Sequence, residues 1–217
     1  MENLMLNIAI YLPLLGILGV LLARRDEAIK WISLIATTAT FFISLPLILN
    51  FDITQSAVPQ FVTEGTAILP GFDIKYLVGL DGLSLLLFML TSLFGPIVIL
   101  SSWTSVSKHL KGYYSMLLLL QTASLGVFAA LDLIVFYVFF ELSLIPMYFL
   151  IGIWGGAERI RATVKFFIYT LAGSLIMLVA LIYLGYHAGG VQSDLIFTAD
   201  WRFISGPEYQ AGLVEQT

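Results

Sequence analysis

The sequence contains no cysteine and only two histidines, and both shortages limit the chemistry that the chain can carry. Without cysteine there can be no disulfide, no zinc site built on thiolates and no iron–sulfur cluster held by cysteine. The histidines, His109 and His187, lie in or beside predicted connecting segments, so a membrane haem held by paired histidines is also excluded. We therefore expect no redox centre and no other cofactor in this chain.

Charged residues are also scarce. They make up 11% of the 217 residues, whereas hydrophobic residues make up 59%. Soluble domains carry about 25% charged residues, so this composition predicts an integral membrane protein. The net charge of -4 and the lack of Lys/Arg blocks argue against nucleic acid as a partner and against a polybasic lipid or phosphate site.

Six apolar runs are long enough to cross a bilayer, because about 20 helical residues span about 30 Å of hydrocarbon. The runs are Leu4 to Leu22, Trp31 to Leu49, Leu83 to Trp103, Tyr113 to Leu131, Leu133 to Trp154 and Phe166 to Tyr186. The sequence therefore predicts an all-α integral membrane protein, a bundle of six transmembrane helices. Residues 50–78 form an outer connection with a short strand at Phe72 to Val78, and residues 187–217 form an outer loop or tail.

Lysine and arginine are distributed unequally between alternate connections. Eight lie in the connections after the first, third and fifth runs, and two lie in the others: Arg24, Arg25, Lys30, Lys108, Lys111, Arg159, Arg161 and Lys165, against Lys75 and Arg202. Because basic residues concentrate on the cytoplasmic side of membrane proteins, both ends of the chain are predicted to lie outside. Trp31, Trp103 and Trp154 then fall at the inner interface, where aromatic residues are enriched.

Glu141 is the only ionisable residue in the run Leu133 to Trp154, and it lies near the middle of that run. A carboxylate at this depth is costly, and such residues typically face a bundle interior or a wet cavity on an ion or proton path. The alternative is a protonated Glu141 that only bridges two helices by a hydrogen bond. Pro146 removes the N–H that would bind the Leu142 carbonyl, which predicts a kink near Glu141 and a carbonyl free to bind water. The alternative for Pro146 is a bend that serves packing.

Two further polar residues are candidates for the same site. By helix rise, the depths of Gln121 and Glu141 differ by about 6 Å, within reach of a side chain and one water. The alternative for Gln121 is a hydrogen bond that holds two helices together. Lys165 is predicted to open the sixth helix, either as a flanking residue that reaches the interface or as a relay at the mouth of a half-channel. Ser174 is predicted to belong to a small-residue packing face, and Asp132 to cap the fifth helix.

One stretch of sequence resembles a known family. FYVFFELSLIPMYFLIGIWGG, residues 136–156, followed by Arg159, Ala162 and KFFIYTLAGSLIML from Lys165 onward, resembles the M-type (chain 4) subunits of respiratory NADH:quinone oxidoreductase, complex I. VGLDGLSLLLFMLTSL, residues 78–93, is similar to the third helix of that family. The resemblance covers residues 1–186.

The resemblance implies a proton-translocating, antiporter-like subunit of the membrane arm, in which Glu141 matches an essential fifth-helix glutamate that pairs with a seventh-helix lysine. It implies L-type and N-type neighbours, and it implies that NADH, FMN, iron–sulfur clusters and quinone are held by other subunits. Family members have about fourteen helices in inverted repeats, so the chain is expected to be a fragment that does not pump alone. We expect a bacterial inner (plasma) membrane location, with an organellar inner membrane as the alternative.

Two other interpretations remain open at this stage. One is a sodium/proton antiporter or membrane-hydrogenase subunit of the same superfamily. The other is a truncated scaffold piece that transports nothing. The residues themselves do not identify the transported ion.

Overall fold

The computed structural model describes residues 2–67, 72–191 and 196–206. Its six long helices are α1 (Glu2–Leu22), α2 (Asp26–Leu49), α3 (Gly82–Ser101), α4 (Leu110–Ala129), α5 (Leu133–Trp154) and α6 (Arg159–Val191). A short helix, α7, covers Trp201–Ile204. Each of the six long helices is long and apolar enough to cross a membrane. The predicted class, an all-α membrane protein with six spanning helices, is confirmed.

Both bounds of α5 are as predicted, and α1 and α2 end as predicted but begin earlier; the other bounds differ. Helix α2 begins at Asp26 instead of Trp31, with Asp26 and Glu27 in its first turn, where acidic side chains stabilise a helix N-terminus. The largest difference is α6, predicted over 166–186, which runs from Arg159 to Val191. The predictions followed the apolar runs, whereas α1, α2, α4 and α6 begin before the run, because backbone hydrogen bonding is not limited to apolar residues. Helices α3 and α4 instead end two residues before the run ends.

Short strands cover the end of the bundle at which α3 and α5 begin. They are β1 (Gln60–Glu64), β2 (Phe72–Asp73), β3 (Leu77–Leu80) and β4 (Phe197–Thr198). Strand β1 pairs with β3 in antiparallel orientation, and β2 pairs with β4 in parallel orientation. The predicted single strand from Phe72 to Val78 is therefore wrong, because this stretch forms two strands with different partners.

The segment predicted as a loop or tail, 187–217, contains regular structure in its described part. Helix α6 extends to Val191, β4 follows, and α7 ends at Ile204. Residues 192–195 and 207–217 lie outside the described residues. The sequence analysis missed β4 because its pairing partner, β2, is more than a hundred residues away in the chain.

Helices α1 to α4 pack together as a four-helix group, to which α5 and then α6 are added. Gly126 of α4 allows α4 and α5 to approach closely, because a methyl group there would collide with the Phe139 ring of α5. Outside its contact with α5 and β4, α6 is largely exposed. Tyr169 is 76% exposed and Ile176 is 74% exposed.

Three tryptophans and the basic connections lie together at the end opposite the strands, here called the tryptophan end; the three are Trp31, Trp103 and Trp154. The Trp31 and Trp103 rings are 5.3 Å apart. The indole N–H of Trp154 donates to the Lys108 carbonyl at 2.8 Å. This grouping is what the prediction of an inner interface requires, although the side of the membrane that it faces stays a prediction.

Candidate functional site between helices 5 and 6

Two contacts fix the antiparallel register of α5 and α6. The Tyr148 and Phe167 rings are 5.3 Å apart. A methyl group at Gly152 would lie 3.5 Å from the Thr163 side chain. Because the helices are antiparallel, each step toward the start of α5 corresponds to a step toward the end of α6. Ser174 of α6 therefore lies at the depth of Glu141 of α5.

The Glu141 carboxylate lies at a pocket between α5 and α6, about midway along α5. The pocket has a volume of ≈ 380 Å³ and is otherwise almost entirely apolar; it is lined by Tyr137, Val138, Glu141, Leu142, Leu144, Ile145, Phe167 and Leu171. Oε1 of Glu141 is buried and has no hydrogen-bond partner among the described residues. A carboxylate oxygen left in apolar surroundings is costly, so this atom needs a proton, a water molecule or a polar partner.

Tyr137 and Ser174 bring two hydroxyl groups to Glu141. Tyr137 lies four residues before Glu141, on the same face of α5, and its hydroxyl interacts with the Glu141 carboxylate and with the Ser174 hydroxyl. Ser174 is buried, and its hydroxyl donates to the Leu171 carbonyl, which leaves the oxygen free to accept. Tyr137 therefore lies between two polar groups, Glu141 on its own helix and Ser174 on the facing helix.

Pro146 is buried within α5, just over one turn from Glu141 toward the tryptophan end. Because proline has no N–H, the Leu142 carbonyl lacks its usual helical donor, and Leu142 also lines the Glu141 pocket. The predicted kink and the binding of water by this carbonyl stay predictions.

Gln121 lies at nearly the expected depth but points elsewhere. Gly112 lies against Trp154 and Gly126 lies against Phe139, which fixes the register of α4 and α5. In this register Gln121 is about 5 Å closer than Glu141 to the tryptophan end, counted at 1.5 Å per residue. Its amide packs against Gly95 of α3. It lines a cavity between α2, α3 and α4 that shares no lining residue with the Glu141 pocket. The predicted shared pocket is wrong, because depth along a helix does not determine the direction of a side chain.

Lys165 is also separate from Glu141. It lies six residues inside α6, exposed, in an open surface depression with Glu158, Arg161 and Val164. In the α5/α6 register, Lys165 is about 13 Å from Glu141 along the helix axis, counted at 1.5 Å per residue. The structure therefore does not bring the two together, and the prediction that Lys165 opens α6 is wrong.

The sequence analysis missed Tyr137 and took Ser174 for a packing residue. Tyr137 had a readable signal, because residues four apart on a helix lie on one face. Ser174 had no such signal in the sequence, because its position beside this site depends on the register of two helices.

A second polar cluster lies at the strand end. Asp132 caps α5 by accepting from the Ile134 and Val135 N–H groups, as predicted, and it also accepts from the Lys75 N–H. Burial raises the pKa of the Asp132 carboxyl above its ordinary 3.8. Although burial opposes it, hydrogen bonds from Arg202 hold the pKa of Asp200 below 3.8. Among the described residues, no group of three or more His, Asp or Glu side chains is arranged to hold a metal ion.

Comparison with known proteins connects this site to a family. Residues 130–211, which include Tyr137, Glu141, Lys165 and Ser174, match the transmembrane family model of NADH:quinone oxidoreductase and the Mrp antiporter. The chain is 43% identical to NADH-quinone oxidoreductase subunit M of Rhodobacter capsulatus, over 95% of this chain and 42% of that protein. It is 37% identical to NADH-ubiquinone oxidoreductase chain 4 of Prototheca wickerhamii, over 90% of this chain and 40% of that protein.

Solved structures give the same relationship. A chain of respiratory complex I from Thermus thermophilus with bound NADH is 30% identical with a TM-score of 0.69, over 90% of this chain and 38% of that chain. An archaeal membrane-bound sulfane sulfur reductase shares the fold, with a TM-score of 0.68 at 20% identity, over 88% of this chain and 29% of that chain. The chain spans about two fifths of the length of the relatives named above. The resemblance inferred from the sequence is therefore confirmed: over nearly all of its length, this chain is similar to part of the M-type (chain 4) subunit of NADH:quinone oxidoreductase.

Proposed function

We propose that this chain belongs to a proton-translocating, antiporter-like subunit in the membrane arm of an NADH:quinone oxidoreductase, and that Glu141 is its proton or charge site. The observation that carries the proposal is the Oε1 atom of Glu141, which is buried midway along a spanning helix without a hydrogen-bond partner among the described residues. A carboxylate in that position is costly, and ionisable residues inside membrane helices typically belong to ion or proton paths.

The surroundings of Glu141 support this role. The Tyr137 and Ser174 hydroxyls offer a path for a proton across the α5/α6 interface. Pro146 frees a carbonyl at the same pocket, which can hold water. Gln121 and Lys165 are assigned lesser parts. Gln121 serves packing and hydration of the neighbouring four-helix group, and Lys165 is a basic residue at the inner mouth of the α5/α6 interface.

The proposal includes partners and a location. The chain sits in a bacterial inner membrane, with both ends outside, beside other complex I membrane subunits that include L-type and N-type neighbours. NADH, FMN, iron–sulfur clusters and quinone are bound by other subunits. The lack of cysteine supports this division of labour, because the chain has no thiolate to hold a cluster.

The test replaces Glu141 in the protein as it is made in its own cells. Glu141→Gln keeps the size and the hydrogen-bonding capacity of the side chain but removes the charge. We expect NADH-driven proton pumping by membrane vesicles to fall by at least about tenfold, a barrier change of about 1.4 kcal/mol. Glu141→Asp should retain part of the activity, and the amount of assembled complex should stay near normal.

Glu158→Gln is the matched control, because Glu158 is an exposed carboxylate in the connection between α5 and α6. It should leave pumping unchanged. If vesicles with Glu141→Gln pump protons at the normal rate per NADH oxidised, Glu141 is a structural hydrogen-bonding residue and the proposal fails.

A second candidate is a subunit of a related complex with another electron donor. The chain is 36% identical to F(420)H(2) dehydrogenase subunit M of Methanosarcina mazei, over 84% of this chain. The same vesicles distinguish the two candidates. Pumping driven by NADH supports the first, whereas pumping that needs a different reductant supports the second.

A further inference from the structure

Gln121 is another buried polar residue that has no hydrogen-bond partner for its side chain among the described residues, and it lies away from Glu141. Gln121 of α4 is 7% exposed, and neither its Nε2 nor its Oε1 atom has a hydrogen-bond partner among the described residues. An amide buried in apolar surroundings without partners is costly, and more so in a membrane, where bulk water cannot reach it. This amide therefore requires a partner.

The side chain borders a cavity of ≈ 140 Å³ between α2, α3 and α4. Water needs about 10–15 Å³ of such volume per molecule, so the cavity has room for several molecules. Most of its wall is apolar, but three hydroxyl-bearing residues, Thr37, Thr91 and Ser124, also line it. Thr37 and Thr91 donate to carbonyls of their own helices, so their oxygens remain free to accept.

Helix α3 has a backbone carbonyl without its helical donor one turn before the residue that the amide contacts. Gln121 packs against Gly95, where the lack of a side chain leaves space for the amide. Pro96 follows Gly95 and has no N–H, so the carbonyl of Ser92 loses its helical donor. Ser92 is fully buried and lies three residues before Gly95, on the neighbouring part of the same helix face.

We propose that this cavity is a binding site for a small cluster of water molecules, held by the Gln121 amide and bridging it to the Ser92 carbonyl and the Thr37 and Thr91 hydroxyls. Water fits because a buried water needs two to four polar partners, and the site offers donors from Gln121 Nε2 and acceptors from carbonyl and hydroxyl oxygens. A lipid acyl chain would fill the volume but would leave the amide unpaired. The site shares no lining residue with the Glu141 pocket, so it does not depend on the function proposed for Glu141.

X-ray radiolytic footprinting of the chain in lipid nanodiscs tests the site directly. Hydroxyl radicals form from water where it is bound and modify neighbouring side chains within the protein. Phe94 lines the cavity and is 50% exposed, whereas Phe42 of α2 is similarly exposed, at 61%, but does not line the cavity. The Trp31 and Trp103 contact places Phe42 at nearly the same depth as Phe94. We expect several-fold more modification of Phe94 than of Phe42.

Gln121→Leu should lower the modification of Phe94 several-fold, because leucine has a similar size but binds no water. Leu117→Ile changes the cavity wall without removing a polar atom and should leave Phe94 modification unchanged. If Gln121→Leu does not fold, Gly95→Ala serves instead, because its methyl group displaces the amide. Equal modification of Phe94 and Phe42 in the chain without substitutions overturns the proposal, and an acyl chain in the cavity would give that result. So does undiminished modification of Phe94 in folded Gln121→Leu.

Discussion

Glu64 and Asp200 share two cations, because each carboxylate contacts both Lys75 and Arg202. Glu64 lies 2.7 Å from the Lys75 ammonium and 2.9 Å from the Arg202 guanidinium, and Asp200 lies 3.4 Å and 2.6 Å from the same groups. The four residues form a closed ring of ion pairs. The ring joins β1, the connection between β2 and β3, and the start of α7, so it holds these strand-end segments together over the beginning of α5.

The ring predicts how the stability of the strand-end segments changes at acid pH. Hydrogen bonds from Lys75 and Arg202 hold the pKa of Glu64 below its ordinary 4.5, and Asp200 is lowered below 3.8 as described above. A carboxyl with a lowered pKa stabilises the fold above its ordinary pKa, and that contribution is lost as the pH falls through the lowered value. The contribution of Asp132 to stability changes with pH in the opposite direction, because its raised pKa makes its burial less costly at acid pH.

We therefore expect backbone amides of 60–64 and 197–204 to stay protected from hydrogen exchange at pH 5 to 7 and to lose protection as the pH falls through the lowered pKa values. Lys75→Met should open these segments at pH 7 as well, with a loss of about 2 kcal/mol of local stability, because its buried ammonium binds charged partners. Lys111→Met is the control, since Lys111 lies at the tryptophan end. Unchanged protection in Lys75→Met would show that the strands hold without the ring.

Gly126 gives a prediction about the packing that positions α5. A methyl group at Gly126 would collide with the Phe139 ring. Gly126→Ala should therefore destabilise the chain in detergent micelles by about 1–3 kcal/mol, the usual cost of overpacking. Gly173→Ala adds the same methyl group where nothing lies within 4 Å in the described structure, and alanine favours helix, so it should be neutral or slightly stabilising.

Unfolding by a graded denaturing detergent, followed by helical circular dichroism, measures both variants. Gly126→Ala combined with Phe139→Leu should recover part of the loss, because the smaller side chain yields space. If Gly126→Ala and Gly173→Ala unfold at the same midpoint, the α4/α5 contact does not constrain α5.

The lack of native cysteine makes the orientation testable with single cysteines. Glu158→Cys and Val58→Cys each introduce a single thiol at an exposed position, at opposite ends of the bundle. Basic connections favour the cytoplasm, so an impermeant maleimide added to intact cells should label Val58→Cys but not Glu158→Cys. Both should react after permeabilisation. The reverse pattern in intact cells would invert the topology.

Sequence patterns predicted those features that depend on one helix at a time. Apolar runs predicted six spanning helices, and the isolated charge indicated Glu141 as the candidate site residue. Features that depend on the rotation or register of two helices were beyond these patterns. Gln121 has nearly the expected depth but faces Gly95, and only the α5/α6 register places Ser174 at the depth of Glu141. The ion-pair ring was also missed, since Glu64 and Arg202 are 138 residues apart in the chain.

The surroundings of Glu141 predict that these 217 residues do not pump protons by themselves. No basic residue lines the Glu141 pocket in the described part of the chain, and Lys165 is too far along the helix axis to pair with it. Without a cation beside it, Glu141 lacks the oppositely charged partner that ionisable groups on ion or proton paths in membranes typically have. Lipid vesicles that hold the chain and a pH-sensitive dye should therefore show the same proton flux as vesicles with Glu141→Gln. Fast flux that Glu141→Gln abolishes would contradict this prediction and would mean that Tyr137 and Ser174 suffice to operate the site.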